Sequence, residues 1–205
     1  MTAKTVEPHR SGAAGAPPST EVALRGGQRV RIRPVLSSDR AAVVEFLHHL
    51  SRESLELRFF SAVTVEVVTA EILSGSARPD RLSLIAETTE DGTSRIIGHA
   101  EYIRSTTDGT HAEVAFLVAD DHQGLGVGTL LLRQLARHAR SLGIRTFNAV
   151  VLSENRAMLD MFSGAGFPNT TAWREQEAEV VLDISHEVST ALVPVSPPAG
   201  AVAVA

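Results

Sequence analysis

Cysteine is absent from the 205 residues, which excludes disulfides, cysteine-ligated zinc and a cysteinyl covalent intermediate. Lysine is almost absent: Lys4 is the only one, against many arginines, a skew that reflects genome composition more than function. No apolar run approaches the roughly 20 residues needed to cross a bilayer. The N-terminus lacks the apolar core of a signal peptide, so a soluble cytoplasmic protein is expected, with no membrane partner. Positive charge is in deficit too, with a net charge of −5 at pH 7. That argues against general nucleic-acid binding, while leaving room for a small anionic ligand or a basic protein substrate. The histidines (His48, His49, His99, His111, His122 and others) show no metal-ligand spacing, and with no cysteine to help them no metal is expected. His122 reads as a solvated surface residue. There is no Gly-x-Ser-x-Gly elbow and no internal repeat.

What is present is enough chain for one domain with a real core. Residues 1–27 are rich in Ala, Gly, Pro, Ser and Thr and read as a disordered arm, and residues 187–205 read as a flexible tail. The folded domain is expected at 28–186. Val30–Arg33 alternates as a strand, stopped by Pro34. Ser38 or Asp39 caps a helix bearing Val43, Phe46 and Leu47, and Ser51 opens a second helix that ends near Phe59-Phe60. A third helix covers about Val65–Leu73, and Gly75 ends it. Three strands follow, Arg81–Thr88, Arg95–Arg104 and His111–Val118, with Asp91-Gly92 and Asp108-Gly109 as hairpin turns. A helix from Gly128 to Leu142 places Leu131, Leu132, Leu135 and Ala139 on one face. Phe147–Leu152 is a buried-type strand, apolar apart from Asn148. Asn155 heads a short helix, and Thr170–Trp173 pairs with Glu179–Ile184. The order specifies a mixed α/β (α+β) domain: a mostly antiparallel central sheet flanked by helices.

Three glycines at alternate positions, Gly124, Gly126 and Gly128, lead into the long helix. Glycine permits φ > 0 and close approach of a ligand, and a helix start presents unpaired N–H groups and the positive end of the dipole. Together these form an anion site, with phosphate the usual guest. A P-loop would need Lys then Ser/Thr after its last glycine, and Thr129-Leu130 stand there. A dinucleotide fingerprint would need a third glycine at Thr129 or Leu131. Glu113 is a carboxylate within an otherwise apolar strand just before this loop. Burial there would raise its pKa toward a value useful for general base catalysis. The structural alternative is a cross-strand ion pair: a two-residue turn at Asp108-Gly109 sets Arg104 opposite Glu113. Glu101 is the reserve base.

Gln123-Gly124-Leu125-Gly126-Val127-Gly128, followed by Asn155 and Gly166-Phe167, resembles the signature of the GNAT N-acetyltransferase superfamily, over about Val30–Ile184. Arg31-Ile32-Arg33-Pro34 with Asp39, the Leu50–Ser54 and Arg58–Phe60 segments, Ala112–Val118 and Glu154–Leu159 look closest to bacterial Pat-type protein lysine acetyltransferases. The resemblance implies the GNAT fold and acetyl-CoA as acyl donor, with no metal. It implies that backbone N–H groups of Gly124, Leu125, Gly126, Val127, Gly128 and Thr129 hold the coenzyme pyrophosphate, with Gln123 shaping the loop. Phe116, Leu117 and Val118 would offer backbone groups to the pantetheine arm, Val118 N–H polarising the thioester carbonyl. Asn155 and Met158 would stand against the coenzyme, Asn155 alternatively as a helix cap. Glu113 would be the base, acting through water. Many members carry a tyrosine as acid for the departing thiolate, where this chain has Phe162; Tyr102, on another strand, is no substitute. Arg52, Arg58, Phe59 and Phe60 fall where such enzymes shape the acceptor groove. The expected acceptor is a protein lysine, with a small amine (polyamine, amino acid or antibiotic) or a silent acyl-CoA sensor as alternatives. A monomer or homodimer without fused regulatory control is expected.

Overall fold

The computed structural model describes residues 17–24, 27–74, 80–90 and 92–188. Its elements in chain order are β1 (Thr20–Ala23), β2 (Arg29–Pro34), α1 (Arg40–His48), α2 (Arg52–Phe59), α3 (Val65–Ser74), β3 (Arg81–Glu90), β4 (Thr93–Arg104) and β5 (His111–Val118), then α4 (Val127–Ser141), β6 (Thr146–Leu152), α5 (Arg156–Gly164), β7 (Asn169–Arg174) and β8 (Glu177–Asp183). One sheet of 8 strands runs in the order β1-β2-β3-β4-β5-β6-β8-β7. Every pairing is antiparallel except β5–β6.

The two faces of the sheet are covered differently. Ala100, Tyr102 and Phe116 face α4 and α5: Tyr102 hydroxyl meets His138 Nδ1 at 2.9 Å, and Phe116 packs edge-on to Phe162 at 5.8 Å. Glu101 on the opposite face meets Arg58 of α2. α4 seats most deeply, burying Leu131, Leu132, Leu135, Ala136 and Ala139 completely. Gly98 makes that seat possible: a Cβ there would lie 2.9 Å from Val127 Cγ1 and 3.1 Å from Leu131 Cδ1. Among the described residues no helix is long and apolar enough to cross a membrane.

Three expectations need correction. The arm expected over residues 1–27 contains β1, whose Val22 pairs with Val30 and which leads to the buried Leu24; residues 1–16 lie outside the described residues. A four-residue strand just after an Ala/Pro-rich run carries almost no local signal, and its stability comes from pairing in a hairpin with β2. At the other end Val188 packs on the core, so order continues past 186; residues 189–205 lie outside the described residues. The β4–β5 connection is longer than a two-residue turn. Ser105 N–H bonds to His111 O at 2.8 Å, and Arg104 Nε donates to Gly109 O at 2.7 Å. The register therefore sets Arg104 opposite Ala112 and Ile103 opposite Glu113. A shift of one residue moves a side chain to the other face, so the proposed Arg104–Glu113 ion pair does not form. Gly75 and Asp91 also lie outside the described residues.

Candidate active site

β5 and β6 pair at only three positions, His111–Thr146, Ala112–Phe147 and Glu113–Asn148. Beyond these the strands diverge, and among the described residues β5 from Val114 to Val118 has no strand on that side. Ala119 N–H bonds to Ile97 O of β4 at 3.0 Å. By the alternation of a strand, Leu117 and Ala115 also turn their backbone groups to β4, while Val118, Phe116 and Val114 turn theirs to the gap. Of the three residues expected to offer backbone groups there, Phe116 and Val118 do so and Leu117 does not.

The gap continues as a cleft of about 1140 Å³. Glu113, Phe116, Leu117, Val118, Gln123, Gly124, Gly126, Val127, Gly128, Thr129, Asn155 and Met158 all line it, so residues spread over more than forty positions converge; Leu125 points out to solvent, 46% exposed. At the loop, Gly124 has φ 73° and Gly126 φ 96°, left-handed values that favour glycine. The first helical bond of α4 runs from Leu130 N–H to Gly126 O at 3.0 Å. The six N–H groups from Gly124 to Thr129 meet no acceptor among the described residues. They converge on the positive end of a 15-residue helix, an arrangement that suits a diphosphate. Asn155 Oδ1 accepts from Met158 N–H at 3.1 Å, so it caps α5.

Glu113 is not buried. Its carboxylate is exposed on the cleft wall and has no hydrogen bond or ion pair among the described residues. Beside it across the strand pair is Asn148, whose Oδ1 is buried without a partner among the described residues. Glu101 is 2% exposed and occupied: Arg58 Nη2 lies 3.1 Å from one oxygen, Arg81 Nε lies 2.7 Å from the other, and Arg81 Nη2 also binds it. With both oxygens held by guanidinium groups, Glu101 serves as an anchor for α2 and not as a base. His99 lies beneath it, 2.7 Å from Ser83 Oγ and fully enclosed. Burial first, then Arg58 and Arg81, push its pKa down to about 3, so it is neutral at pH 7. Tyr102 is 1% exposed on the far face, its pKa pushed up to about 12 by burial against a smaller pull from Arg104. It reaches nothing in the cleft, and Phe162 supplies no proton.

A hydrogen-bond network that the sequence did not reveal lies beside the cleft. Asp120 Oδ2 accepts from Ser51 N–H at 2.7 Å, and its Oδ1 accepts from the hydroxyls of Ser51 and Ser54 at 2.9 and 2.6 Å. Gln123 Nε2 donates to Ser54 Oγ at 3.1 Å and to Val118 O at 3.3 Å. Burial opposes the charge on Asp120, but the Ser54 and Ser51 hydrogen bonds outweigh it and hold the carboxyl below its ordinary range. His122, expected on the surface, is 6% exposed, with Nδ1 2.7 Å from Asp121 and Nε2 3.3 Å from Gln28 Nε2. The local signal available was Ser51 as a helix cap; its pairing with a residue 69 positions away leaves none. No cluster of three or more His, Cys, Asp or Glu arranged for a metal occurs among the described residues.

Residues 45–167 match the model of the acetyltransferase (GNAT) family. Among curated proteins, Acetyltransferase Pat of Mycolicibacterium smegmatis is 32% identical over 161 residues, which is 78% of this chain but only 46% of that protein, so this chain aligns with about half of that relative's length. Acetyltransferase PA5475 of Pseudomonas aeruginosa is 32% identical over 145 residues, 70% of this chain and 77% of that protein. Among solved structures, the GNAT domain of S. lividans PAT superposes with a TM-score of 0.69 at 33% identity, covering 80% of this chain and 96% of that one.

Proposed function

This chain belongs to the acetyltransferase (GNAT) family, and from that membership we propose that it transfers acetyl from acetyl-CoA to the ε-amino group of protein lysines by direct attack. The observation that carries the reading is the convergence on one cleft of six unmatched N–H groups, the unpaired edge of β5 and a free carboxylate. The Gly124–Thr129 amides hold the pyrophosphate. Phe116 and Val118 pair with the amides of the pantetheine arm, as an added strand would. That seats the thioester near the end of β5, where Val118 N–H donates to its carbonyl oxygen.

Glu113 takes the proton that makes the amine nucleophilic, through water. The amine nitrogen then bonds to the carbonyl carbon, the carbon–sulfur bond breaks, the electron pair leaves on the thiolate, and the surplus proton on the nitrogen passes to water to give the neutral amide. Phe162 stands where a tyrosine would supply a proton, so the thiolate departs without one from the protein. A protein acceptor is favoured by the breadth of the cleft on the Glu113 side, where Ile103, Val150 and Val181 stand 39%, 52% and 39% exposed beside the carboxylates of Glu113 and Glu179. Such a wall suits a cationic side chain presented on a larger body.

Incubation with labelled acetyl-CoA and host lysate tests this. Label entering protein at lysine supports it. Label entering only small molecules replaces the lysine with a small amine, and acetyl-CoA binding without thiol release on any acceptor leaves a sensor.

A further inference from the structure

α2 forms one wall of the cleft, with Ser54, Leu57 and Arg58 facing the side where Glu113 lies. It buries none of its residues completely, so its position is not set by a deep apolar seat. What holds its N-terminal end is a directed chain of hydrogen bonds to the glycine loop. Ser51 Oγ accepts from Ser54 N–H at 3.1 Å and donates to Asp120. Ser54 Oγ accepts from Gln123 Nε2 and donates to the same oxygen of Asp120. A hydroxyl has one proton to give. Both protons end on Asp120, so this carboxylate fixes the direction of both links. Gln123 in turn reaches Val118 O on the gap side of β5. The opposite end of α2 is fixed by Arg58 on Glu101.

We infer that Asp120 is a positioning residue that couples the glycine loop to α2, so that coenzyme bound at Gly124–Thr129 orders the wall against which the acceptor lies. The inference rests on the coenzyme reading of the loop. Ordering the loop fixes Asp120 and Gln123; that fixes Ser51 and Ser54 and steadies the first turn of α2. Because coupling between two sites is reciprocal, an acceptor pressed against α2 tightens coenzyme binding by the same factor.

The test uses coenzyme A itself as probe and hydrogen–deuterium exchange of the full chain as readout, and needs no knowledge of the acceptor. In the unaltered protein, saturating coenzyme A slows exchange at 124–129 and also at 52–59, the latter by about fivefold or more, the low end of ordinary coupling factors. In Asp120→Ala the slowing at 124–129 persists and the slowing at 52–59 is lost. Ser54→Ala, which removes only the shared hydroxyl, gives the same split should Asp120→Ala not fold, and Ser54→Thr restores the coupling. Slowing at 52–59 that survives both Ala variants overturns the inference, as does its absence in the unaltered protein while 124–129 is protected. No slowing at 124–129 in the unaltered protein overturns the coenzyme reading, and this inference with it.

Discussion

Helices α2 and α4 line the same cleft and are held by opposite means. α4 buries Val127, Leu130, Leu131, Leu132, Leu135, Ala136 and Ala139 against the sheet, with Gly98 hollowed out to receive it. α2 buries none of its residues fully; it rests on the core only through the partly buried Leu55 and Phe59 and is held besides by charge and hydroxyl contacts at its two ends. Apolar packing over a whole face leaves little freedom, because interiors are close-packed and bistable at best. Polar contacts at two ends fix position while leaving the middle adjustable. On the function proposed above, the loop carried by α4 would meet the coenzyme and α2 would face the acceptor. The contrast would then give the more rigid mounting to the coenzyme side and the more adjustable one to the acceptor side.

The contrast is sharpest at the loop. Gly126→Asp places a carboxylate and a Cβ at φ 96° among the unmatched N–H groups and is expected to abolish acetyl-CoA binding. Thermal stabilisation by acetyl-CoA as large as in the unaltered protein refutes that. On the other side of the cleft, Glu113→Gln is expected to lower kcat by about 10²–10⁴ while sparing acetyl-CoA affinity. An unchanged rate passes the proton to water alone, since Glu101 is held by two arginines. The mechanical side of the contrast is tested by matched truncations read in urea. Leu131→Ala in α4 is expected to cost about 2–5 kcal/mol, and Leu57→Ala in α2 under about 1 kcal/mol. Equal losses would break the comparison.

A pH-dependent effect lies on the α2 side of the sheet. The ordinary pKa of His99 is 6.5, but the folded state holds it down to about 3, so the unfolded chain takes up a proton first as pH falls. His99 therefore costs nothing above pH 6.5 and lowers stability at about 1.4 kcal/mol per pH unit from there toward pH 3. Between pH 7 and pH 5 that amounts to about 2 kcal/mol. His99→Gln should remove this share of the acid sensitivity, and an unaltered pH dependence in urea unfolding would show that it does not arise there.

Most of this was readable in advance where the signal is local. The glycine loop, the stripe of α4 and the Ser51 and Asn155 caps follow from spacing alone, and the structure has them where spacing puts them. Two kinds of feature failed to show. β1 is too short and too weakly patterned to be seen without its hairpin partner β2, and other misses come from distance along the chain. Glu101 looked like a spare base because Arg58 and Arg81 stand 43 and 20 residues away. Glu113 looked buried because its neighbours in sequence are apolar, yet its side chain stands exposed on the wall of the open cleft, which no neighbour in the sequence announces. The turn after Arg104 was off by one residue, and in a strand one residue reverses the face.

The divergence of β5 from β6 after three pairs has a consequence of its own. A strand with one side unpaired is a template for aggregation, and proteins usually blunt such edges at the rim of a sheet with charge, proline or brevity. Here the open edge is in the middle of the sheet, walled by α4 and α5 on one face and α2 on the other. Another protein's strand, with its own neighbours attached, is too broad to enter. A slender chain carrying one or two amides is not. On the function proposed above, the same walls that would admit the pantetheine arm would keep that edge from a strand of another copy.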